Sequence, residues 1–105
     1  LFVYFIRMNK LTKIFVAEAI GTFVFLGVIL YVVSKKEDLA WLKIGLALAV
    51  VIVLLGSVSG AKFNPAVSFM FMLADNTSFT RFFVECSAQV VGALMALWLY
   101  NTILR

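Results

Sequence analysis

The sequence contains no histidine and a single cysteine, Cys86. An intramolecular disulfide is therefore excluded, and neither the multi-thiolate nor the imidazole patterns of metal sites can be written. No metal and no other cofactor is expected. Charge is scarce as well: 13% of residues carry it, five of them acidic. From so few groups neither a base with a nucleophile nor a metal set can be assembled, and the chain is not expected to be an enzyme. Proline occurs once, at Pro65.

What remains is apolar. Hydrophobic residues make up 65% of the 105 positions, well above ordinary soluble domains. Runs of about 20 such residues are the mark of a membrane span, so an integral membrane protein is expected, multi-pass and in the plasma or inner membrane. The net charge of +4 does not argue for nucleic acid. Lys and Arg sit at the ends of the apolar runs, where they anchor helices among lipid headgroups of the bilayer.

The first span is expected over 14–33, "IFVAEAIGTFVFLGVILYVV", long enough at 1.5 Å per residue for ~30 Å of hydrocarbon. Upstream, "LFVYFIR" at 1–7 is apolar but short and precedes Met8; it is a vector remnant, an upstream extension or a fragment edge. The run that follows has no small-residue cleavage site and reads as a retained helix, giving an N-terminal segment 1–13. After the polar loop "SKKEDLAW", with Trp41 at the interface, a second span is expected over 42–58 and a third over 79–104. Between them the pattern breaks at "SGAKFNPAVSFMFML". Asn64 suits an N-cap and Pro65 the first helical position, yet the apolar segment 65–73 reaches only about half the hydrocarbon depth. It is a re-entrant half-helix, an interfacial amphipathic helix or part of a tight hairpin. The re-entrant reading requires a wet cavity, because extended backbone within a bilayer must be satisfied by protein or water.

These residues are specific enough for a resemblance. "SGAKFNPAVS" resembles the first signature of the major intrinsic proteins, the aquaporins and glycerol facilitators, whose usual form is SGAHxNPAVT. "AEAIGTFVF" at 17–25 and "AQVVGA" at 88–93 resemble the family's first and third helices, and Arg81 lies eight residues before Gln89. The resemblance covers residues 11–105. It implies an all-α membrane protein with an aquaporin-like half, three transmembrane helices plus one re-entrant half-helix over 14–105, where members carry two inverted repeats. It also implies passive transport of water or small neutral solutes such as glycerol. Asn64, Pro65 and Ala66 would form the pore motif, and backbone of Gly60, Ala61, Lys62 and Phe63 the pore wall. Ile44 would contribute to the constriction, as an aliphatic where relatives often have an aromatic. Glu18 would support the loop by hydrogen-bonding its backbone. Ions and protons would be excluded by the half-helix dipole and by Asn64.

Other positions are plainer. Ala88, Gly92 and Ala96 form a stripe at four-residue spacing for close helix packing, and Cys86, the methionines, Phe69 and Phe71 read as filler. Glu85, one turn after Arg81, predicts an ion pair. Lys62 stands where the family usually has histidine, as a cation at the mouth or a snorkelling side chain. One repeat encloses no full pore. Either Arg105 is a fragment boundary or two antiparallel copies rebuild the channel, and four pores would cluster as in relatives. With the amino terminus inside, Arg7, Lys10, Lys13, Lys62 and Arg81 oppose Lys35, Lys36, Lys43 and Arg105, five against four, a weak instruction for orientation. A small membrane protein acting in assembly or regulation is the alternative to a channel.

Overall fold

The computed structural model describes residues 1–105. It is all helical: α1 (Phe2–Arg7), α2 (Lys10–Ser34), α3 (Ala40–Ser59), α4 (Pro65–Ala74) and α5 (Phe79–Leu99), the last running on through a wider, π-type turn at Tyr100–Leu104. Three of these, counting α5 with its π-type extension, are long and apolar enough to cross a membrane.

Helix α2 starts one turn before its apolar run because a polar residue caps it, whereas α4 and α5 start at Pro65 and Phe79 as expected. Asn9 accepts from the Thr12 amide through Oδ1 at 2.8 Å, which adds a turn before Ile14. Ser78 likewise accepts from the Arg81 amide at 3.1 Å at the head of α5. Each cap satisfies a donor that the first helical turn leaves free. Residues 2–7 form a short helix of their own in front of α2.

The central element is α2, with α3 packed on one side and α5 on the other, while α4 packs against α5. The close approach of α2 and α5 depends on small residues. Ala88 and Ala96 are fully or almost fully buried. At Gly92 a side chain would run into the carbonyl oxygen of Ala19 and stand 2.9 Å from the amide nitrogen of Phe23. Across from Ala96, Gly27 leaves room for contact. With hydrocarbon on the outside, such packing supplies association that water would otherwise drive.

Burial is strongly one-sided. On α3 only Val51 and Ser59 are buried, and Leu46, Val50, Val53 and Leu54 are bare apolar side chains. Lys35 Nζ reaches the Arg105 carbonyl at 3.3 Å, bringing the α2 end and the chain end together at one face of the bundle. The starts of α2 and α5 lie at the other.

Replacing Gly92 by Val is expected to force α2 and α5 apart, since the obstacle is backbone and cannot swing away. The expected loss is about 1–3 kcal/mol, measured as a lower unfolding midpoint in detergent, with Gly45→Ala as a control because nothing lies near that glycine.

Candidate functional site

The site is built around Glu18, on α2 and without solvent exposure. Its carboxylate accepts four hydrogen bonds. Oε1 takes the Phe63 amide at 2.8 Å and Gln89 Nε2 at 3.0 Å. Oε2 takes the Ser59 hydroxyl at 2.6 Å and the Lys62 amide at 3.1 Å. A carboxylate offers about four lone-pair sites and no donor, so four donors and no acceptor match it in number and kind. Removing such a group from water is costly unless its bonds are replaced in this way.

Two of those donors belong to the segment joining α3 to α4, and its backbone is unusual. Gly60 caps α3 with φ of 89°, and Ala61 and Phe63 both have φ of 52°. Left-handed backbone at residues with a Cβ costs about 1–2 kcal/mol each, and persists where surroundings over-determine it. Three things do so here. Glu18 holds the amides of Lys62 and Phe63, Ser59 Oγ accepts from the Ala61 amide at 3.1 Å, and the Phe63 ring is buried among Val51, Ala61, Phe25, Leu48 and Leu55. That ring fits because residue 21 is glycine; any Cβ there would overlap it.

The consequence for the peptide units is a sorting of donors from acceptors. Amides of Ala61, Lys62 and Phe63 are held from the protein side. No protein donor reaches the carbonyl oxygens of Gly60, Ala61, Lys62 or Phe63. The chain then turns at Asn64, which is extended at φ −158° and caps α4 by accepting from the Ala66 amide at 2.8 Å through Oδ1. Its Nδ2 is left without a protein partner, and Asn64, Pro65 and Ala66 are all exposed. Pro65 begins α4, a helix of ten residues.

Gln89 ties the half-helix to the same centre. Its Nε2 donates to Glu18 and also to Ser68 Oγ of α4 at 2.9 Å. Its Oε1 is buried without a partner, as is Thr22 Oγ1. Both residues border a cleft of about 160 Å³ that Pro65 and Phe63 also line.

Lys62 departs from both expectations set out for it. Its ammonium neither projects from the mouth nor snorkels to water but turns inward to Glu85 Oε2 at 3.0 Å, with its side chain 9% exposed. Ser59 O at 3.3 Å and the Phe71 ring, 5.6 Å away at its centroid, complete its surroundings. Phe71 is thus more than filler. The predicted Arg81–Glu85 pair is present at 3.0 Å, and Arg81 Nη2 also donates to Ser59 O at 3.1 Å. Glu85, buried, is shared by two cations.

The structure therefore brings together Glu18, the 60–63 segment and Asn64, and adds Ser59, Ser68, Gln89 and Gly21, which the sequence reading did not single out as site residues. Ile44 stands apart. It is half-buried near the start of α3, about 22 Å along the helix axis from Ser59. Ala88, Gly92 and Ala96 lie in the α2–α5 contact.

Comparison with known proteins now decides the lineage, for the family model "Major intrinsic protein" matches residues 6–105. The chain belongs to the major intrinsic protein family. Its members are channels rather than enzymes, and this chain, with its three membrane-length helices, is an integral membrane protein. It is 35% identical over 91 residues to "Probable aquaporin AqpM" of Archaeoglobus fulgidus, covering 80% of this chain and 37% of that one. It is 36% identical over 85 residues to "Glycerol uptake facilitator protein-like 6" of Lactiplantibacillus plantarum, covering 78% and 39%. Against the human "Lens fiber major intrinsic protein" it is 44% identical over 50 residues, 48% of this chain and 19% of the relative. The chain thus spans less than two fifths of the length of these relatives. No solved structure gives a significant match.

Two substitutions test the site. Glu18→Gln puts an amide nitrogen where two donors converge, so at least one amide loses its acceptor. A loss of about 2–4 kcal/mol in unfolding free energy is expected, whereas Glu37→Gln on the exposed loop changes little. Glu85→Ala releases Lys62, and faster acylation of its amine by a lysine-directed reagent, read by peptide mass spectrometry, is the expected outcome.

Proposed function

We propose that the chain is one repeat of a membrane channel that passes water or small neutral solutes such as glycerol. The observation that carries this reading is the row of four carbonyl oxygens, Gly60 to Phe63, left without protein donors beside the free Nδ2 of Asn64. Backbone at mid-membrane depth needs a wet surface to face. Such a row replaces the hydration of a solute in transit, while the segment's own amides are withdrawn to Glu18 and Ser59.

Asn64 Oδ1 is occupied by the Ala66 amide, so the group offered to a passing molecule is a donor. A water accepting from Nδ2 turns its hydrogens away and cannot hand a proton on. The start of α4 adds about half a positive charge at the same place, which repels cations. Lys62 contributes little to that barrier in its present position, because its ammonium is turned inward to Glu85. Ile44 marks the other end of the same conduit and makes its constriction aliphatic.

A second repeat has to complete the pore. It comes from the remainder of the same gene product or from a second copy inserted antiparallel, and four such pores assemble in the membrane. The bare Pro65 and the cleft beside it, with the unpartnered Gln89 and Thr22 oxygens, support a missing neighbour on that face. In the antiparallel case Val67 follows both motifs, so that no charged side chain stands next to either of them and solute discrimination is weaker.

Proteoliposomes carrying the full-length protein are expected to shrink in an osmotic step severalfold faster than empty ones. Asn64→Asp is expected to slow water and to raise proton leak, read with an internal pH dye. Equal shrinkage of loaded and empty vesicles at verified insertion would overturn the channel reading.

A further inference from the structure

Where α2 and α5 begin, a cavity of about 370 Å³ opens between them, lined by Lys10, Leu11, Ile14, Thr77, Ser78 and Arg81. All four polar side chains in this wall can donate hydrogen bonds, and no carboxylate shares it. Lys10 is outside the ion pairs of the chain, which join Lys43 to Glu37 and both Lys62 and Arg81 to Glu85. Arg81 spends Nε on Glu85 and Nη2 on the Ser59 carbonyl, leaving Nη1 free. Ser78 Oγ accepts from the Arg81 amide and keeps its own proton to donate. Glu85 already serves two cations, so the local balance is positive before Lys10 is counted. Asp75, three residues ahead of Ser78, is exposed and does not line the cavity.

We infer that this cavity holds the phosphate of an anionic phospholipid, with Lys10 and Arg81 as its cations. Its depth favours a lipid over a free anion. Both helices that form it are membrane spans, and it sits at their first turns, where headgroups lie. Its remaining wall is apolar: Leu11 is partly exposed and Ile14 fully buried, a surface suited to the glycerol and upper acyl carbons below a phosphate. Space is sufficient, since the volume is many times the ~30 Å³ of a single water. Guanidinium and ammonium groups between membrane helices on one face are the usual chemistry for such headgroups. Bound there, the lipid would brace the N-terminal turns of α2 and α5, and through Arg81 the Ser59 carbonyl beside the re-entrant segment.

The test uses the full-length protein in a neutral detergent. Phosphatidylglycerol, phosphatidylcholine or inorganic phosphate is added, with bound lipid counted by native mass spectrometry and the unfolding midpoint followed. Phosphatidylglycerol is expected to bind and raise the midpoint, while phosphatidylcholine and phosphate leave it unchanged. Lys10→Gln, on an exposed residue that carries no part of the fold, should weaken phosphatidylglycerol about fivefold. Lys10→Arg should restore it, and Lys35→Gln at the opposite face should have no effect. Equal loss in Lys10→Gln and Lys35→Gln would reduce the effect to general surface charge and overturn the site. Protection by inorganic phosphate equal to that by phosphatidylglycerol would overturn the lipid assignment.

Discussion

Everything distinctive in this molecule converges on one carboxylate in the middle of an apolar bundle. Glu18 has four donors and accepts from all of them, two from the backbone of a segment that by itself would not hold its shape. The left-handed Ala61 and Phe63 are costly alone. They become tolerable because the amides of Lys62 and Phe63 find a charged acceptor inside the protein, where hydrogen bonds to ions are roughly twice as strong as neutral ones. The same bonds that hold the amides leave the carbonyls of this segment without protein donors. The hydrogen-bonding capacity left over here belongs to main chain rather than to side chains.

The rest of the packing serves to put Glu18 in reach. Gly92, Ala88 and Ala96 let α5 lie close on α2, which carries Gln89 to the carboxylate. Gly21 leaves the hollow into which Phe63 drops, so the loop is gripped by a ring on one side of its backbone and a carboxylate on the other. Neither glycine is needed for its own backbone angles. Each is a place where a neighbour occupies the space of a side chain.

Much of this was legible in the sequence. Three apolar runs give three spans, and Asn64 with Pro65 announces a helix start with a good cap, because capping is local chemistry. Glu18 draws attention because a carboxylate amid twenty apolar residues needs partners. The identity of those partners was less legible. Ser59, Ser68 and Gln89 are small or neutral, common in membrane helices, and their meaning lies in which way they point. Lys62 shows the limit best: spacing places it beside the pore motif, but only the three-dimensional approach of α5 reveals that Glu85 is close enough to take its charge. The start of α2 lies one turn ahead of its apolar run for a related reason, since hydropathy registers the run and not the polar cap at Asn9 before it.

The partners of Glu18 are spread far along the chain, with Ser59 41 positions away and Gln89 71. During synthesis the re-entrant segment therefore emerges before the helix that completes its support has been made. Until α5 is inserted, Ser68 lacks its donor, Lys62 lacks Glu85, and the strained backbone of 60–63 has only part of its restraint. Full restraint of the half-helix therefore requires all three spans.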